Sequence, residues 1–122
     1  MHVYWQFPAD GPIQGTPAHD GEAIYTASAA GTVYGLAVSS DDPAGDQLWS
    51  RPVGGPVRSG PTVHNGILYV GCDDGYLYAI DTSDGTVSWR YQTGGPIQSR
   101  IVTAGGLVYF GGLDHKIYAL RA

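Results

Sequence analysis

The chain has 122 residues, a mass of 12.9 kDa and a formal net charge of −5, so length allows one domain around one core. The acidic balance, with one lysine and five scattered arginines, disfavours nucleic-acid backbones, which need clustered cations. A single cysteine, Cys72, excludes an intrachain disulfide framework and a cysteine-rich zinc site.

Glycine is the compositional anomaly, with 19 residues, accompanied by 8 prolines, 9 tyrosines and 3 tryptophans. Gly and Pro punctuate turns while Tyr, Val and Trp favour strands, which points to a turn-dense all-β protein. Along the chain, Met1 to Asp10 has neither a basic nor an apolar run, so no signal peptide is read there. The uncharged stretch Ala23 to Ser40 holds glycines, hydroxyl residues and a turn, so no membrane insertion is expected. The polar segment Ser39 to Asp46 reads as a loop insertion. Val57 to Val63 and the compact apolar run Ile67 to Cys72 read as strands. Asp73-Asp74-Gly75 reads as a hairpin turn, because Asp-Gly tolerates positive φ. Tyr76 to Asp81 follows, with Tyr76, Tyr78 and Ile80 on one face. Thr86 to Tyr91 alternates, placing Val87, Trp89 and Tyr91 together, and Gly94-Gly95-Pro96 turns the chain. No segment sustains a 3.6-residue apolar period, so no substantial helix is expected.

The chain repeats itself. Trp stands at 5, 49 and 89; seven residues on stand Pro12, Pro56 and Pro96, each preceded by Gly. Twenty residues from each Trp stand Tyr25, Tyr69 and Tyr109, and twenty-nine on stand Tyr34, Tyr78 and Tyr118. The repeats run approximately 5–48, 49–88 and 89–122. A unit near 40 residues with four strands has the size of one β-propeller blade, which buries both faces only by stacking on neighbours.

The segment from Ala79 through Asp81 and Gly85 to Trp89 has the form A-x-D-x-x-x-G-x-x-x-W. It resembles the tryptophan-docking motif of PQQ-like, quinoprotein-type β-propeller repeats. Tyr69-Val70-Gly71 and the Gly55-Pro56-Val57 stretch are similar to that family as well. The first copy departs, with Gly35 and Ala37 in place of Ala79 and Asp81, and the third reaches Arg121-Ala122 without a further Trp. The residue types also make physical sense on their own. Asp81 can accept backbone amides and fix a turn, Gly85 permits positive φ, and Trp89 offers a flat face to an adjacent blade.

The resemblance implies that Trp5, Trp49 and Trp89 sit on outer strands and dock onto the next blade. It follows that the chain starts with an outer strand, about Val3 to Phe7, and ends with three strands, about Ile97 to Leu120. Three blades do not close a ring alone. Two copies joined end to end would give a six-bladed homodimer, each N-terminal strand finishing the other's last blade. A fragment of a longer propeller remains the alternative.

Quinone-dependent dehydrogenases of this family carry a planar cofactor near calcium and a vicinal disulfide. Cys72 has no vicinal partner and no acidic cluster suggests a calcium cage, so no cofactor, no metal and no catalytic residue are expected. His2, His19, His64 and His115 share no repeat position, and a base pair of His115 with Asp114 is disfavoured because adjacent strand–turn residues point apart. The Gly-Gly-Pro turns lack the Lys-Ser/Thr of a phosphate loop. Cys72, in an apolar run, reads as a small core residue. Gln14, Arg58 and Gln98 recur nine residues after each Trp, and Thr16, Gly60 and Arg100 eleven after. They are polar where a buried strand would be apolar, and read either as a water-lined channel or as a rim that binds an anionic group or peptide. The expectation is a non-catalytic scaffold for an unidentified protein or small ligand. The resemblance extends to extracytoplasmic sensor regions of bacterial kinases. A dehydrogenase fragment and a purely structural ring piece are the alternatives.

Overall fold

The structure, a computed structural model, describes residues 3–38, 43 and 45–122. Among these, every regular element is a strand, in three successive antiparallel sheets. The first contains β1 (Ala18–His19), β2 (Ala23–Ala27), β3 (Thr32–Ala37) and β4 (Gln47–Pro52). The second contains β5 (Thr62–His64), β6 (Ile67–Gly71), β7 (Tyr76–Asp81) and β8 (Val87–Gln92). The third has β9 (Val102–Ala104), β10 (Leu107–Gly111) and β11 (Ile117–Arg121). Each is a meander in chain order, so the strands that begin the sheets stand together at one end. The expected loop insertion Ser39 to Asp46 and His2 lie partly or wholly outside the described residues.

The pairing registers repeat. Gly35 faces Trp49 across β3 and β4, and Ala79 faces Trp89 across β7 and β8, with a bulge just after each small residue. A β-carbon on Gly35 would come within 2.6 Å of the Trp49 ring, so the absent side chain makes room for the indole. Between the first two sheets, Tyr25, Ala27 and Val33 pack on Leu68, Val70, Tyr78 and Ile80. Between the second and third, Tyr69, Leu77 and Ala79 pack on Ile97, Val108 and Phe110. β6 therefore buries both faces, Leu68 and Val70 one way and Tyr69 the other, which is why it reads as an unbroken apolar run.

Two expected strands differ. Val57 to Val63 narrows to Thr62–His64, because Gly60 and Pro61 interrupt the ladder and Gly60 passes against the backbone of Thr16 in the preceding repeat. Val3 to Phe7 joins no sheet; the Gln6 amide donates to the Pro43 carbonyl at 2.7 Å. Val87, Trp89 and Tyr91 do alternate, yet none is fully buried, since β8 is the outer strand of its sheet.

Candidate functional site

At the end where β1, β5 and β9 stand, the three segments leading into these strands converge. Gly15 lies so close to Ser59 and Gly60 that a side chain on it would overlap their backbone. This approach brings together every position singled out for a rim: Gln14, Arg58, Gln98 and Arg100, with Thr16 and Gly60, line one open cleft of about 650 Å³. His19, at the end of β1, lines it too.

Asp73 organises the rim. The Asp-Asp-Gly segment forms the expected turn, with Gly75 at φ 87°, but its two carboxylates part company. Asp74 turns inward, accepting from the Tyr76 amide at 2.9 Å and from the Tyr78 hydroxyl. Asp73 turns sideways: its Oδ2 takes Arg58 Nε at 2.6 Å and its Oδ1 takes Gln98 Nε2 at 3.0 Å. One carboxylate thus ties rim positions of two successive repeats. By sequence Asp73 is a turn residue, and nothing in its spacing marks the sideways reach. Arg100 has no acidic partner among the described residues, so the cleft keeps one cation free to receive an anion.

The motif residues sit elsewhere, at the outer edge. Trp49, on β4, reaches across to the second sheet and donates its indole N–H to the Thr82 carbonyl at 2.8 Å. Its ring lies on Gly85, at φ 77°, and stacks with Tyr25 at 6.0 Å. Arg51 Nε adds a bond to the Gly85 carbonyl at 2.7 Å. Asp81 holds this turn by accepting the Ser83 amide at 2.9 Å and hydroxyl at 2.6 Å, which keep its carboxyl below the usual range. Trp5 lies on Gly45 in the same way, four residues before Trp49 as Gly85 is four before Trp89. Trp89 is half-buried beside Tyr69 and Leu120. Arg121 and Ala122 stand at the repeat positions of Asp81 and Thr82.

Other candidates disperse. Asp114 accepts the Tyr118 hydroxyl and the Gly94 and Lys116 amides, so it orients no His115. The Cys72 thiol is fully buried, lies 3.2 Å from the Gly55 carbonyl oxygen and is pushed by burial up to about 12. Among the described residues no three His, Cys, Asp or Glu gather as a metal site. This donor set does not fit the calcium that accompanies a quinone, nor a vicinal disulfide.

A family model described as outer membrane protein assembly factor BamB, of the PQQ-like repeat type, matches residues 36–122. The chain belongs to the BamB-like PQQ repeat family. Among solved structures, BamB from Moraxella catarrhalis is a β-propeller that superposes with a TM-score of 0.82 at 21% identity. The alignment covers 96% of this chain and 37% of that one. Sqt1 of Saccharomyces cerevisiae gives 0.75 at 11% identity over 90% of this chain and 31% of its own. The computationally designed Ika8 protein gives 0.73 at 13% identity, covering 87% and 32%. A curated relative, the tetrathionate hydrolase of Acidithiobacillus ferrooxidans, is 28% identical over 87 residues, 70% of this chain and 17% of that enzyme. The chain therefore spans about a third of its structural neighbours and a smaller share of the curated relative.

Proposed function

We propose that this chain is a non-catalytic recognition module of a β-propeller, binding an acidic segment of a partner protein at the inner cleft. One observation carries the reading: three repeats deliver Gln14, Arg58, Gln98 and Arg100 to one place, with Arg100 unpaired. A polar, open cleft with a free guanidinium suits a carboxylate on an extended peptide, which accepts the planar fork of arginine. The outer Trp–Gly contacts act as docking joints that hold successive blades at a fixed angle, so the cleft is preorganised. The ring that completes the module is supplied by a second copy, giving six blades. Further blades of a longer polypeptide are the competing closure, favoured by the 37% share of BamB that the chain covers.

The test is fluorescence polarisation with a labelled acidic peptide and a charge-neutral analogue. Arg100→Ala should weaken binding of the acidic peptide roughly tenfold or more, the loss of one charge-assisted contact, and leave the circular dichroism unchanged. Equal binding by wild type and Arg100→Ala would refute the cleft. The enzyme reading draws on the tetrathionate hydrolase likeness, which covers 17% of that enzyme. Turnover of tetrathionate, or dye reduction with added quinone and calcium, would reverse the ranking.

A further inference from the structure

A cation and an anion enter the rim in the same repeat. Nine residues after each Trp stand Gln14, Arg58 and Gln98, and twenty-four after stand Ala29, Asp73 and Leu113. The copy that carries Arg58 is the copy that carries Asp73. That copy is the middle one, packed against the first sheet on one side and the third on the other. Ala29, at the matching place in the first repeat, has no group that could hold Gln14 or Arg58.

The Asp73 carboxylate is not what shapes its turn. Asp74, Asp81, Asp84 and Asp114 each accept the backbone amide two residues on. Asp73 accepts side chains instead, Arg58 Nε at 2.6 Å and Gln98 Nε2 at 3.0 Å. Leu113 stands at its place in the third repeat, where its amide donates to the Pro96 carbonyl at 2.9 Å, as the Asp73 amide does to Pro56. A leucine thus gives the same turn contact, and the carboxylate serves the rim.

Arg58 and Arg100 line the same cleft, and the Arg58 side chain is 45% exposed while that of Asp73 is 17% exposed. A carboxylate that approaches Arg100 forms a new charge-assisted bond. One that approaches Arg58 meets a guanidinium already paired. It exchanges one ion pair for another, and if Asp73 moves aside the Gln98 amide loses its acceptor, so the net gain is small.

We propose that Asp73 sets the specificity of the cleft, an inference that rests on the cleft binding an acidic segment. Asp73 acts as a built-in carboxylate for Arg58, so the cleft rewards one acidic side chain of the ligand, at Arg100, and gives no advantage to a second. It is a positioning residue: it acts on the ligand through Arg58 and Gln98, by charge as well as by shape.

The experiment uses the full chain and labelled, end-capped peptides carrying one aspartate, or two at increasing separation, read by fluorescence polarisation. Asp73→Asn removes the charge and keeps the shape, since its oxygen still accepts Arg58 Nε and its amide donates to Gln98 once that side-chain amide turns over. Its circular dichroism should match wild type, because Leu113 makes the same turn contact. Wild type should bind the two kinds of peptide alike, apart from the statistical gain of a second aspartate. Asp73→Asn should favour the best two-aspartate peptide over the one-aspartate peptide by about two- to fivefold more than wild type does, the worth of one exposed ion pair. Adding Arg58→Gln should abolish that gain. A two-aspartate preference already present in wild type, or equal loss of both affinities in Asp73→Asn, would overturn the role given to Asp73. So would a preference unmoved by Asp73→Asn while Arg100→Ala still weakens binding, and the cleft would stand. Binding that Arg100→Ala leaves intact would overturn the cleft and the role of Asp73 together.

Discussion

Gly66 and Gly85 both have φ of 77°, and their surroundings differ. A β-carbon on Gly66 would meet only the Thr82 hydroxyl, at 4.0 Å. A β-carbon on Gly85 would come within 2.6 Å of the Trp49 ring. Substitution by alanine should therefore separate backbone strain from inter-sheet packing. At Gly66 the cost is the left-handed conformation alone, about 1–2 kcal/mol. At Gly85 the same cost is joined by displacement of a packed indole, about 1–3 kcal/mol more, because Trp49 is 7% exposed and tied by its N–H to Thr82. With a urea slope of roughly 1–3 kcal/mol per molar, the two midpoints should differ by about 1 M. The assay is urea unfolding by circular dichroism at one fixed protein concentration, since association would otherwise shift apparent stability. In the background of Trp49→Leu the extra cost at Gly85 should largely vanish, a coupling that distant sites do not show. Equal losses at Gly66 and Gly85 would refute the view that this indole locks one sheet to the next.

Other outcomes follow from the charged and nucleophilic groups. Asp10 accepts the Ser28 and Thr32 hydroxyls at 2.5 Å each, and the Ser28 bond does most to hold its carboxyl below the ordinary value of 3.8. Its contribution to stability should be full above that value and disappear as pH falls through the lowered one; Asp10→Asn should flatten the acid limb of urea midpoints measured from neutral pH downward. Burial pushes the Tyr25 and Tyr78 phenols up to about 12. Folding then favours the neutral ring, so their contribution is complete below 10 and lost as pH rises toward 12; ultraviolet titration should show these two ionising late, and together with unfolding. Cys72 should resist thiol reagents in the native protein and react promptly in urea.

The repeat made the architecture legible because packing dictates it. Tyr25 and Tyr69, and Val33 with Leu77, recur since each fills the same wedge between sheets. Turns were legible for the same reason, Gly75 and Gly85 both adopting the positive φ their neighbours require. The strand read at Val57 to Val63 failed where tertiary approach overrode local pattern: Gly60 and Gly15 let three chain segments crowd one point, and that crowding leaves only Thr62–His64 in the ladder. Val3 to Phe7 has strand composition but joins none of the sheets among the described residues, and composition does not reveal which segments a stretch pairs with. The cleft was half legible. Its positions came from residues nine and eleven places after Trp, polar in all but Gly60, but the clamp by Asp73 depends on a side-chain direction that sequence spacing does not carry.

The contrast between the two sets of recurring positions bears on where recognition resides. At twenty places after Trp the residue is Tyr three times, and at twenty-nine it is Tyr again; Tyr25, Tyr69 and Tyr78 are packed between sheets, where a change would leave a void or a clash. At nine places the series is Gln14, Arg58, Gln98, and at eleven it is Thr16, Gly60, Arg100. The side chains at these positions border open space rather than a neighbouring sheet, so packing permits each repeat to differ. Chemistry aimed at a partner can vary only where packing does not object, and it acts as a unit only where the variants converge. In this chain the inner cleft meets both conditions. The outer Trp–Gly contacts meet neither, since they are repeated and dispersed along the rim of the arc. Arg100, which has no acidic partner among the described residues, is therefore the side chain whose exchange should alter the proposed binding while leaving the sheets as they are.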